Sequence, residues 1–167
     1  MWILIVSEIL VFGGALIAFA GVRISDVEVF RQSQDHLDRL AGALNTMVLL
    51  TSGLCAALAV NAIADQKLQT ARRWLLGASM LGVVFLCVKA VEYATKIADG
   101  FTPTTNAFFT LYYLTTGFHA LHVVAGIAIL AIVSRKASLH TIEIGTTFWH
   151  MVDLVWVMLF PIVYLMR

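Results

Sequence analysis

Seven charged or imidazole side chains stand deep inside otherwise apolar runs of this sequence: Glu8, Lys89, Glu92, His119, His122, His150 and Asp153. Burying such a group in hydrocarbon costs about 2.5–3.5 kcal/mol even on a lenient insertion scale, so each is a candidate for function. The three histidines and Asp153 are of the types that ligate a metal or a haem when facing helices bring neutral imidazoles together. His119-Ala120-Leu121-His122 puts two rings on one helical face, although the Glu-x-x-His pairs of di-iron bundles are absent. A second chemistry is proton exchange, for which Glu8 is the candidate, because a carboxyl in a membrane can take up and release protons. One carboxyl near one face makes no transmembrane wire, so a modulating role fits better than pumping. Lys89 and Glu92 are three residues apart, a spacing that lets them neutralise each other on one helix. All seven could equally be polar glue that sets helix packing and lipid contact.

The elements that must carry these groups are membrane helices. Of 167 residues 60% are hydrophobic and 13% charged, with mean hydropathy +0.90, too apolar for a domain that folds in water. Charge-free or nearly charge-free stretches place helices near 2–22, 42–64, 72–98, 104–134 and 145–166, each long enough to span. The expected fold is a single all-α integral membrane domain over 1–167, a five-helix bundle with its termini on opposite sides. Ser25 to Arg39 is the longest connection, partly helical and expected at the interface or in water. Asp65 to Thr70 reads as a tight turn, Asp99-Gly100 with Pro103 as a stop and start, and Arg135 to Glu143 as a short loop. Gly13-Gly14 and the stretch from Gly117 to Gly126 offer small-residue surfaces for close helix contact.

By helix-start depth, Glu8 lies about 10 Å in, and His150 and Asp153 about 8–12 Å in from the same side, which suggests one shared layer. A second layer would hold Lys89, Glu92, His119 and His122. Basic residues divide evenly, with Arg23, Arg31, Arg39, Lys96 and Arg167 against Lys67, Arg72, Arg73, Arg135 and Lys136. The second set lies in short loops, which favours a cytoplasmic N-terminus and a periplasmic C-terminus. Met1 to Glu8 lacks a basic region and a cleavage site, so a first membrane helix is expected there rather than a removable signal. A net charge of +1 without a basic stripe excludes a nucleic-acid surface. Cys55 and Cys87 sit in apolar runs without ligand spacing, as core fillers.

Ser7-Glu8, Asn45-Thr46, Leu49-Leu50-Thr51-Ser52, Glu92-Tyr93, Thr116 to Val123 (TGFHALHV) and Trp149 to Trp156 (WHMVDLVW) resemble, in order, the motifs of subunit III of haem–copper oxidases. The last two blocks are similar to TGxHxxHVxxG and WHxVDxxW, and the resemblance covers nearly the whole chain, in the family's five-helix form. Lys89-Ala90-Val91-Glu92-Tyr93, Thr104 to Phe109 and the Phe30 to Gln34 loop resemble the branch of subunit III-like proteins associated with nitric oxide reductase.

The resemblance implies a non-catalytic accessory subunit with no catalytic, cofactor-binding or metal-ligating residue of its own. Haem and copper or iron would reside in the partner catalytic subunit, which this chain would stabilise while binding phospholipid in a bacterial plasma membrane. The family's carbodiimide-reactive carboxyl maps onto Glu8. Nitric oxide reduction in denitrification is the expected setting, with subunit III of an aerobic cytochrome c or quinol oxidase as the alternative. A free-standing cytochrome or metal enzyme, or a small transporter, are the rivals from other classes.

Overall fold

The computed structural model describes residues 2–136 and 138–166, so Arg167, counted among the charges above, lies outside the described residues, as does the side chain of Lys136. Six α-helices follow in order: α1 (Trp2–Ser25), α2 (Val27–Asp35), α3 (Arg39–Ala64), α4 (Leu68–Ala98), α5 (Ala107–Lys136) and α6 (Leu139–Phe160). A π-helical turn, Pro161–Leu165, prolongs α6. Five of these elements, all except α2, are long and apolar enough to cross a membrane, as the charge pattern predicts. The boundaries differ most at α6, which starts six residues before the predicted 145. Ser138 caps it there, its Oγ accepting from Thr141 N–H at 3.3 Å, so the expected loop up to Glu143 shrinks to a tight connection.

Helices α3, α4, α5 and α6 form a ring in which each packs on its chain neighbour and α6 closes back onto α3. α1 leans on α5 and α6 from outside and is the least buried span, while α6 is the most buried. Caps and turns explain why the segments stop where they do. Asp38 Oδ1 accepts from Ala41 N–H at 3.0 Å to start α3. Gly100, at φ +87°, supplies the left-handed residue that ends α4.

Trp149 of α6 fixes the spacing of the ring. A Cβ at Gly82 of α4 would lie 2.6 Å from its Cη2, and one at Gly126 of α5 would lie 2.6 Å from its Cε3. The indole therefore fills the space that two glycines leave, and its Nε1–H donates to Ser52 Oγ of α3 at 3.1 Å. Ser52 in turn donates to the Ala78 carbonyl of α4 at 2.7 Å. One side chain of α6 thus reaches the other three ring helices. The glycines of α1 behave otherwise: a Cβ at Gly13, Gly14 or Gly21 would meet nothing within 4 Å, so the expected close contact there is not made within the chain.

The segment before α3 is not merely a solvated connection. Phe30 of α2 is fully buried and meets Phe19 of α1 and Phe108 of α5 edge-on, with centroids 5.2 and 5.4 Å apart. Gln34 Nε2 donates to the Val163 carbonyl at 2.9 Å, occupying an acceptor in the π turn. This amphipathic helix pins the ends of α1, α5 and α6 on the side of the bundle opposite the N-terminus.

Candidate functional site

The seven polar residues separate into three centres and one isolated ring. The first centre is the most fully connected. Lys89 of α4 spends all three ammonium protons, on Glu92 Oε2 at 3.1 Å, Tyr112 Oη at 3.1 Å and Tyr164 Oη at 2.8 Å. Glu92 Oε1 then accepts the hydroxyl protons of Tyr112 at 2.7 Å and Tyr164 at 2.6 Å. Both charged residues are buried, and the ammonium lies 5.0–5.5 Å from the rings of Tyr93, Tyr112, Trp156 and Tyr164. Every charge-bearing atom has a partner, so the centre ties α4, α5 and the end of α6 together without a free site for chemistry.

The second centre joins α1 to α5. His122 Nδ1 lies 2.9 Å from the Phe118 carbonyl, and since a carbonyl only accepts, Nδ1 carries a hydrogen. His122 Nε2 lies 2.9 Å from Glu8 Oε2, an ion pair when the ring is protonated. Phe12 and Phe118 wall the imidazole, with centroids 5.5 and 4.6 Å away.

The third centre faces outward between α3 and α6. Asp153 is buried, with Oδ2 at 3.9 Å from His150 Nδ1 and Oδ1 without any hydrogen-bond partner. Gly53 makes this placement possible, because a Cβ there would collide with Asp153 Oδ2. His150 itself lies on the perimeter, and a groove of about 450 Å³ lined by Leu50, Leu54, Leu154 and Val157 opens over the pair.

His119 belongs to none of the three. It is buried, stacked at 5.1 Å on Trp156 and edge-on to Phe85, with neither ring nitrogen hydrogen-bonded.

Several expected groupings are therefore redistributed. His119 and His122 do not join Lys89 and Glu92, whose hydroxyl partners are tyrosines instead. Glu8 meets His122 and not His150 or Asp153. Starting α6 at Leu139 also moves Asp153 from the expected 8–12 Å to about 21 Å along its helix. The seven residues are not one buried network, since His150 is exposed at the perimeter. Tyr112, Tyr164 and Gly53 escaped the sequence reading, and Ser52 entered it only within a motif, not as a partner of Trp149. A tyrosine near a helix end reads as an interfacial anchor, and nothing local marks it as a ligand for a charge on another helix.

Among the described residues no group of three or more His, Cys, Asp or Glu is placed to hold a metal ion. The contacts that form are one buried ion pair and two histidine–carboxyl approaches among spanning helices, which defines a multi-pass helical membrane protein. The chain belongs to the cytochrome c oxidase subunit III family, whose model matches residues 1–167. It is 30% identical to cytochrome c oxidase subunit 3 of Thermostichus vulcanus over 98% of this chain and 84% of that one. It is 28% identical to the probable cytochrome c oxidase subunit 3 of Mycobacterium tuberculosis (strain ATCC 25618 / H37Rv), over 96% and 83%. It is also 28% identical to a heme-copper oxidase subunit I+III of Aeropyrum pernix, over 99% of this chain but 22% of that longer protein. These relatives favour the aerobic oxidase over the nitric-oxide-reductase branch expected from Lys89 to Tyr93 and the Phe30 to Gln34 segment, and give that branch no support. The structure explains those departures otherwise: Lys89 completes the tyrosine-lined pair, and Phe30 and Gln34 seat α2.

Proposed function

We propose that this chain is the accessory subunit III of an aerobic haem–copper oxidase in a bacterial plasma membrane. It braces the catalytic subunit and holds phospholipid, and it contributes no catalytic residue or metal ligand. The observation that carries the reading is the family match along the whole chain. The Aeropyrum relative, in which subunits I and III are named as one protein, supports a lateral association with the catalytic subunit, which would hold the haem and copper. The N-terminus is assigned to the cytoplasm, because Lys67, Arg72, Arg73 and Arg135 cluster on that side in short connections.

Lipid binding has its own support at the opposite end of the bundle. A groove of about 480 Å³ between α3 and α4 has apolar walls at Val88 and Val91 and charges of both signs along it, Asp38 and Glu92 against Lys96. That combination suits a zwitterionic headgroup above two acyl chains. Glu8, which meets His122, is assigned a buffering role for proton delivery to the catalytic subunit.

The test is purification through a tag on this chain in mild detergent, with mass spectrometry and a reduced-minus-oxidised spectrum. A copper-containing catalytic subunit with haem a or o is expected. A nitric oxide reductase catalytic subunit with haem b and c would move the chain to the denitrification branch, and a colourless chain recovered alone would bring the transporter reading forward.

A further inference from the structure

We propose that the groove between α3 and α6 is the seat of a transmembrane helix of the catalytic subunit, which presents a hydrogen-bond donor to Asp153 at the middle of the membrane. This inference rests on the accessory-subunit reading and deepens it by naming the face that docks.

The groove has three features that together point to a protein occupant. Its rim is made of large apolar side chains that are about half exposed, Leu50, Leu54, Leu154 and Val157, which is the surface a spanning helix packs on. Its floor holds the Asp153 carboxyl group, whose Oδ2 makes no hydrogen bond among the described residues and lies 3.9 Å from His150 Nδ1, while Oδ1 is enclosed beneath it, also without a partner. A second groove of about 300 Å³, sharing Ala57 and His150 with the first, continues along the same two helices past Thr146 and Thr147. The recess is therefore elongated along the helix direction.

Depth decides what can complete the carboxyl. Asp153 is the fifteenth residue of the 27-residue span Leu139–Leu165, within a residue of its centre. A hydrocarbon core about 30 Å thick puts the headgroups roughly 15 Å away on either side. Phospholipid amines and phosphates do not reach that level, and acyl chains have no donor. Water is excluded from a lipid-facing carboxyl at that depth, where unsatisfied polar groups are not tolerated. A donor carried by another helix remains: a hydroxyl, amide, imidazole or cation at mid-span. The complement of an unpaired acid is a donor, and the Aeropyrum relative, in which subunits I and III are named as one protein, points to subunit I as the chain that carries it. His150 stands at the mouth of the groove, 3.9 Å from Oδ2, the carboxyl oxygen that the docked donor would reach.

Site-specific cross-linking in the intact complex tests this. In a Cys55→Ala/Cys87→Ala background, Leu154→Cys carries a maleimide photo-cross-linker, and Ile17→Cys on the outer face of α1 serves as the comparison. Expected is a cross-link from position 154 to a spanning helix of the catalytic subunit, within a turn of a donor-bearing residue, and none from position 17. Asp153→Asn should lower retention of the chain in the complex after detergent washing at least tenfold, with helix content unchanged. A complex that forms while position 154 cross-links only to lipid or to a second copy, or while position 17 captures the catalytic subunit, overturns this inference alone. Failure to recover any haem protein with the chain overturns the accessory-subunit reading as well.

Discussion

Replacing Lys89 with Met removes the cation from a site where nothing else can balance Glu92. Lys89 is 2% exposed, so its ammonium does not reach the interface, and its three protons are all committed inside the bundle. Breaking a buried ion pair by removing one member costs about 3–5 kcal/mol, because the remaining charge is stranded. Glu92 keeps the hydroxyl donors of Tyr112 and Tyr164, which holds the expectation at the lower end, about 3 kcal/mol. A single interhelical hydrogen bond in a membrane averages about 0.6 kcal/mol, so the two interpretations are well separated. The assay is dodecyl sulfate titration of the full chain in mixed micelles, followed by tryptophan fluorescence, since Trp156 lies beside the ammonium. Lys89→Met/Glu92→Gln should recover most of the loss, because both charges leave together. A Lys89→Met chain within about 0.5 kcal/mol of the parent would refute the claim that this pair is a buried, mutually dependent unit.

Other perturbations follow from the same geometry. Gly82→Ala and Gly126→Ala each force a methyl into Trp149 and should destabilise the chain by about 1–3 kcal/mol, an effect relieved when Trp149→Phe is added, measured by the same titration. Glu8→Gln should remove the carboxyl group that faces His122 and shorten the active lifetime of the oxidase during turnover; unchanged proton uptake, lipid content and lifetime would dismiss its buffering role. Tyr164→Phe takes one donor from Glu92 and one acceptor from Lys89, and about 1–3 kcal/mol should be lost on unfolding. Asp38→Ala deletes the cap of α3 and should cost about 1 kcal/mol, seen as faster amide exchange at Ala41.

How far the chain could be read without coordinates depended on the range of the interaction. The spans were legible because length and apolarity are local, and Lys89 and Glu92 could be joined on paper because three residues on a helix is a fixed geometry. The start of α6 was missed because His140 and Glu143 look like loop residues, whereas Ser138 caps a helix that includes both. The tyrosines around Lys89, and the distribution of the five remaining ionisable groups, come from residues far apart in the chain.

The amino-acid order therefore carries the number, length and connection of the spanning helices, and the identity of every group too polar to face lipid unaided. Which of those groups meet is decided by the packing. Spanning helices are apolar nearly all the way round, so no stripe announces which face of one will touch which face of another. Here steric fit makes the choice: Trp149 between Gly82 and Gly126 sets the ring of four helices, and that ring sends His122 to Glu8, encloses Lys89 and Glu92 among tyrosines, and leaves Asp153 looking outward.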